Sequence, residues 1–259
     1  MMTREEVARR TILRALVGST LHGLVLEGKD DRDEMGVCIE PLNAVVGFDD
    51  FEQFIHRDAE VREGRRNAPS GPGDLDLVVY SLRKFVRLAA QGNPTVIQVL
   101  FIPAEQCIVR TPLGAELQAL SSSFVSVEAG NRYLGYMSAQ RHRLIGERGQ
   151  KDVRRQALVE AHGYDTKYAM HMLRLGYQGV EIMSTGRVTL PTPEPERSWL
   201  MKVRRGEIGL EELLARAQDL EQQIRTLIEN SSLQPHADFA RIEAWMTRVY
   251  LEAWSAERA

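Results

Sequence analysis

Cysteine is almost absent from this 259-residue chain: only Cys38 and Cys107 occur, far apart and each in apolar company. That excludes a disulfide framework and a thiolate zinc site, and leaves two buried free thiols as the expectation. No apolar run reaches the roughly 20 residues that a membrane span requires. The start, Met1-Met2-Thr3-Arg4-Glu5-Glu6, lacks a basic flank followed by an apolar stretch, so no secretory signal is read and a cytoplasmic location is expected. Charge of one sign is lacking too. Thirty-three basic against 36 acidic residues leave a net charge of −3, so any polyanion must be met by a local patch and not by a global field.

With 43% hydrophobic and 27% charged residues the chain has the balance of an ordinary globular protein, long enough for one large domain or two modest ones. Its first half reads as mixed α and β. Arg4 to Val17 is a helix running into a short buried strand; Met35-Gly36-Val37-Cys38-Ile39 is a compact apolar run that suggests a buried strand, and Asp76-Leu77-Val78-Val79-Tyr80 has β-branched and aromatic content over strand length. Between them Gly47 to Ile55 carries aromatics suited to packing over a sheet. Gly64 to Gly73, with Pro69, Ser70, Gly71 and Pro72, is a loop by composition. Ser81 to Ala90 has helical spacing and ends at Gly92-Asn93-Pro94, whereas Thr95 to Ile102 fits helix or strand. From Ala115 helices dominate, among them Asp165 to Met183, Leu210 to Ile228 and Asp238 to Trp254, with Pro191, Pro193 and Pro195 as a stiff connection. Trp199, Trp245 and Trp254 are expected to be core anchors.

The chemical signal is Gly18-Ser19-Thr20-Leu21-His22-Gly23 followed by Asp31-Arg32-Asp33. Residues two apart on a strand share a face, so Asp31 and Asp33 would present two hard oxygen donors together, the kind of set that binds Mg²⁺ with help from substrate phosphates. Gly18 and Gly23 allow the backbone to approach a phosphate closely, and Ser19 offers a hydroxyl and an amide. His22 reads as a packing or surface group.

This combination resembles the DNA polymerase β-like nucleotidyltransferases. Asp76 to Phe101 and Tyr164 to Leu175 look, more narrowly, like a nucleotidyltransferase family associated with RNA repair. The resemblance implies an α+β fold: a small mixed β-sheet palm flanked by helices, residues 1–112, with a mainly helical C-terminal region, residues 113–259. It implies transfer of a nucleoside monophosphate from an NTP to a hydroxyl acceptor, foremost an RNA or tRNA 3′ end, with pyrophosphate leaving and two Mg²⁺ ions assisting. Asp31, Asp33 and Asp76 would be the catalytic and metal-binding carboxylates, with Asp74 the alternative to Asp76. Gly18, Ser19, Gly23, Arg83, Lys84, Lys167 and His171 would bind the nucleotide. A protein or small-molecule acceptor, or a non-catalytic nucleotide-binding module, are the other readings of the same motif; the oligomeric state is left open. Family members commonly carry Ser before Asp-x-Asp and an apolar residue after it. Here Asp30 and Glu34 flank the pair, so stronger repulsion of phosphate is expected.

Overall fold

A computed structural model describes residues 2–26, 32–66, 68, 70–71, 73–145 and 153–256. Asp30 and Asp31 therefore lie outside the described residues.

The N-terminal helix Arg4–Arg10 begins with a capping box: the Thr3 side chain accepts from the Glu6 amide and the Glu6 carboxylate accepts from the Thr3 amide at 2.7 Å. It runs directly into β1 (Thr11–Leu16), as the change from helical to continuous apolar spacing predicts. Four further strands, β2 (Arg32–Cys38), β3 (Gln53–Arg57), β4 (Leu75–Ser81) and β5 (Cys107–Arg110), complete a mixed sheet of order β3-β4-β2-β1-β5. β2 pairs parallel with β4 and antiparallel with β1, so it is central, and its burial from Glu34 to Cys38 accounts for the unbroken apolar run there. On one face Val7 of the first helix packs against Cys38, Leu77 and Val79. Cys38 is buried, and burial pushes its thiol up to about 12; Cys107 is only half-buried, contrary to expectation, because β5 is an edge strand.

Two compact units emerge: Met1–Ala90 with Thr95–Ser123 and Asp238–Ala259, and Gln91–Pro94 with Phe124–Ala237. The helix Pro112–Ala119 stays with the sheet, where Thr111 donates its amide and hydroxyl to the Ile12 carbonyl at 3.0 and 3.1 Å. The last helix, Phe239–Ala256, also returns to the first unit. Its Tyr250 hydroxyl donates to Glu40 at 2.9 Å, its Trp254 indole donates to the Glu40 carbonyl at 3.0 Å, and its Trp245 indole donates to Glu116 at 2.9 Å.

Glu40 is a buried junction, because its carboxylate also accepts from the Leu82 and Arg83 amides at the start of the helix Leu82–Ala90. Burial raises its pKa above the ordinary 4.5, with hydrogen bonds opposing the shift. The folded chain thus holds a proton at Glu40 that the unfolded chain has released. Its contribution to stability is full below about pH 4.5 and is lost as pH rises through the folded value. Urea unfolding of wild type and Glu40→Gln across pH 4 to 7 should show the wild type losing stability relative to the variant as pH rises. A constant difference would refute the assignment.

The second unit is helical: Val127–Leu144, Val153–His162, Thr166–Thr185, Glu196–Arg205 and Leu210–Glu229. Its central helix, Thr166–Thr185, is N-capped by Asp165, which accepts from the Lys167 and Tyr168 amides at 2.9 and 3.0 Å, and it is closed by Gly186. Leu173, Ile182, Tyr133, Leu213 and Ile224 are among its buried apolar residues. Among the described residues no helix is long and apolar enough to cross a membrane.

Candidate active site

The parallel pairing of β2 with β4 puts Asp33 directly beside Asp76. Neighbouring strands lie about 4.8 Å apart, and registered neighbours project from the same face, so two carboxylates stand side by side. The backbone of β2 also holds the Gly18-Ser19 turn: the Asp33 carbonyl accepts from the Val17 amide at 2.9 Å. Gly18 follows with φ +68°, and a Cβ on it would lie 2.2 Å from Asp33 Oδ2. Only a residue without a side chain lets this turn rest on the carboxylate. Ser19 belongs to the one-and-a-half-turn helix Gly18–His22, which Gly23 terminates at φ +67°. Gly18, Ser19 and Asp33 are thus brought together as the spacing suggested.

Asp76 is held from the other side. Ser70 Oγ lies 3.0 Å from each of its carboxylate oxygens, so one hydroxyl donates to a shared pair of acceptors. The loop bearing Ser70 is fastened by Asp74, which accepts both Arg62 nitrogens at 2.6 and 2.9 Å and the Gly71 amide at 2.8 Å. The guanidinium beside Asp74 holds its carboxyl down to about 2. Asp74 is a loop clamp with its oxygens engaged, while Asp76 is the carboxylate in register with Asp33.

Glu34 corrects an expectation. As the next residue along β2 it faces the opposite side of the sheet, where it is 1% exposed and ion-paired with Arg14 and Arg32. Its charge is balanced there and adds nothing to repulsion on the Asp33 face. Arg57 is the residue that sequence reading missed. Antiparallel pairing of β3 with β4 sets it opposite Asp76, making a row Asp33, Asp76, Arg57 across three strands. Its Nη1 lies 3.0 Å from Glu60. No sequence signal marks this arginine, since it acquires its neighbour only through strand pairing.

Arg83 and Lys84 are placed elsewhere. They follow the far end of β4, and five residue steps of strand lead from Asp76 to Ser81, about 16 Å at 3.3 Å per residue. Lys84 instead pairs with Glu52 and lies 5.8 Å from the Tyr80 ring centre, and Arg83 is exposed. Lys167 and His171 belong to the second unit; Lys167 is exposed, and His171 Nε2 lies 2.7 Å from Arg174 Nη2. Among the described residues no cluster of three metal-ligating side chains occurs; Asp31, the first aspartate of the expected Asp-x-Asp pair, lies outside them. The donors that are described do suit a hard divalent cation: two adjacent carboxylates beside a turn that has no Cβ to crowd Asp33 Oδ2.

No curated protein matches the chain. A solved structure of a nucleotidyltransferase-like protein from Exiguobacterium sibiricum 255-15 aligns at 12% identity over 87% of this chain and 71% of that one, with a TM-score of 0.31. The family model of the RNA repair pathway DNA polymerase beta family matches residues 2–248, nearly the whole chain. The chain therefore belongs to that family of polymerase β-like nucleotidyltransferases linked to RNA repair.

Proposed function

We propose that the chain moves a nucleoside monophosphate from an NTP to the 3′-hydroxyl of an RNA, foremost a tRNA end. The observation that carries this reading is the register of Asp33 with Asp76 beneath the Gly18 turn. The acceptor oxygen forms a bond to the α-phosphorus, the bond to the β-phosphate bridging oxygen breaks, and pyrophosphate leaves with that electron pair. The hydroxyl proton passes to an Asp76 carboxylate oxygen, which Ser70 Oγ keeps oriented. The Gly18-Ser19 backbone approaches the leaving phosphates, and Arg57 offsets their charge next to Asp76. Asp33 and Asp76, with Asp31, would hold Mg²⁺ as two ions, which would supply charge neutralisation on the phosphoryl oxygens.

The test is incubation of wild type and Asp33→Ala with each α-³²P-NTP, Mg²⁺ and total RNA, resolving RNA and protein separately. Label in RNA with wild type alone supports the proposal and identifies the base. Label in protein, or in neither fraction, overturns the RNA acceptor. Arg57→Ala should lower kcat/KM by about ten- to a hundred-fold through loss of a charge-assisted contact. An unchanged value would remove Arg57 from the site.

A further inference from the structure

The second unit contains a groove that the chemistry of Asp33 and Asp76 does not use. Its inner part is a cavity of about 260 Å³, lined in part by Arg174, Tyr177, Gln178, Thr192 and Gln223. A second cavity of about 430 Å³ shares Tyr177, Glu196 and Arg216 with it and adds Trp199. Both lie wholly within the helical unit.

Gln178 is the informative residue. It is 5% exposed, and neither its amide oxygen nor its amide nitrogen has a hydrogen-bond partner in the described structure. Burying an amide without partners costs about 1–3 kcal/mol, so an apolar residue here would serve stability better. The amide therefore marks a place where a donor and an acceptor are supplied from outside. Tyr177, which lines the same cavity, belongs to a set of planar groups that continues into the second cavity. Tyr177 and Trp199 meet edge to face, with ring centres 6.4 Å apart at 78°. The Arg216 guanidinium lies 5.2 Å from the Tyr177 ring centre, and its Nε donates to the Tyr177 hydroxyl at 3.1 Å. The wall is also prepared in advance: Glu181 accepts the Thr189 amide at 3.0 and 3.1 Å, which fastens the segment entering the cavity. Trp199 thus departs from the core role expected of it and is half-buried at a groove.

We propose that this groove binds a nucleobase, with the Gln178 amide pairing to an edge that presents an acceptor beside a donor, and with Tyr177, Trp199 and Arg216 offering planes for stacking. A side-chain amide has one donor group and one acceptor in a fixed plane, complementary to such an edge on adenine, cytosine, guanine or uracil. Aromatic and guanidinium planes supply the stacking that flat heterocycles require. The inner cavity is smaller than the roughly 300–1,000 Å³ of sites for larger ligands, which suits one ring system and not a whole cofactor. The base arrives either on a free nucleotide or on an unpaired RNA residue.

Calorimetric titration of the full chain in EDTA separates this groove from metal-dependent chemistry. The probes are the four nucleoside monophosphates and a single-stranded RNA hexanucleotide of mixed sequence. Saturable binding of a monophosphate assigns the free nucleotide; binding of the hexanucleotide alone assigns RNA. Gln178→Leu and Trp199→Ala should each weaken that binding by about tenfold or more, and Gln178→Leu should melt no lower than wild type. Failure of every probe to bind, or binding that neither variant weakens, overturns the proposal. Because the experiment involves no transfer reaction, its failure leaves the reading of Asp33 and Asp76 untouched.

Discussion

Asp76→Asn is expected to reduce kcat by about 10²–10⁴-fold, the range that a general base contributes, with a smaller effect on the KM for NTP. Asparagine keeps the shape of the side chain and can still meet Ser70 Oγ, so the loop stays in place while proton acceptance is lost. Asp33→Asn should cost a similar factor but should also weaken NTP binding, because this carboxylate lies against the Gly18 turn. Neither variant should melt lower than wild type, since each removes one of two like charges on neighbouring strands about 4.8 Å apart. Steady-state kinetics with an NTP series and a thermal melt decide it. Wild-type turnover in Asp76→Asn would end the assignment of that residue as the base.

Gly18→Ala should produce the second large effect, and Gly64→Ala is its control. Both glycines are left-handed, at φ +68° and +65°, so alanine costs each about 1–2 kcal/mol of backbone strain. A Cβ at Gly64 would meet nothing within 4 Å, whereas at Gly18 it would sit 2.2 Å from Asp33 Oδ2. Gly64→Ala should thus lower Tm by a few degrees with activity kept. Gly18→Ala should lower Tm further and cut kcat/KM by about 10²-fold or more, because a displacement of about 1 Å at a reacting group has that consequence. Equal behaviour of the two variants would show that the turn does not rest on the carboxylate.

Much of the architecture was legible in advance. The helix-to-strand change near Thr11, the buried run of β2, the β-branched and aromatic strand β4, and the helices after Asp165 follow from local pattern, which is a property of neighbouring residues. β5 escaped notice because four residues on a sheet edge, Cys107–Arg110, carry no strong alternation. β3 was read only as an aromatic segment over the sheet; its partner β4 makes it a strand. The ambiguous Thr95 to Ile102 became a helical turn, Pro94–Ile97, followed by a 3₁₀ turn, Gln98–Phe101.

The site divides along the same line. The sequence by itself determined which residue types are present at which spacing: a Gly-Ser turn, paired aspartates, and a further aspartate opening an apolar strand. Alternation along a strand even sends Glu34 away from Asp33 without further information. Tertiary structure alone decided that Asp76 and not Asp74 stands beside Asp33, that Arg57 joins them while Arg83 and Lys84 do not, and that the final helix closes on Glu40. The physical reason is that strand register and helix docking are set by contacts between residues tens to hundreds of positions apart, such as Glu40 with Tyr250, and local spacing carries no information about such partners.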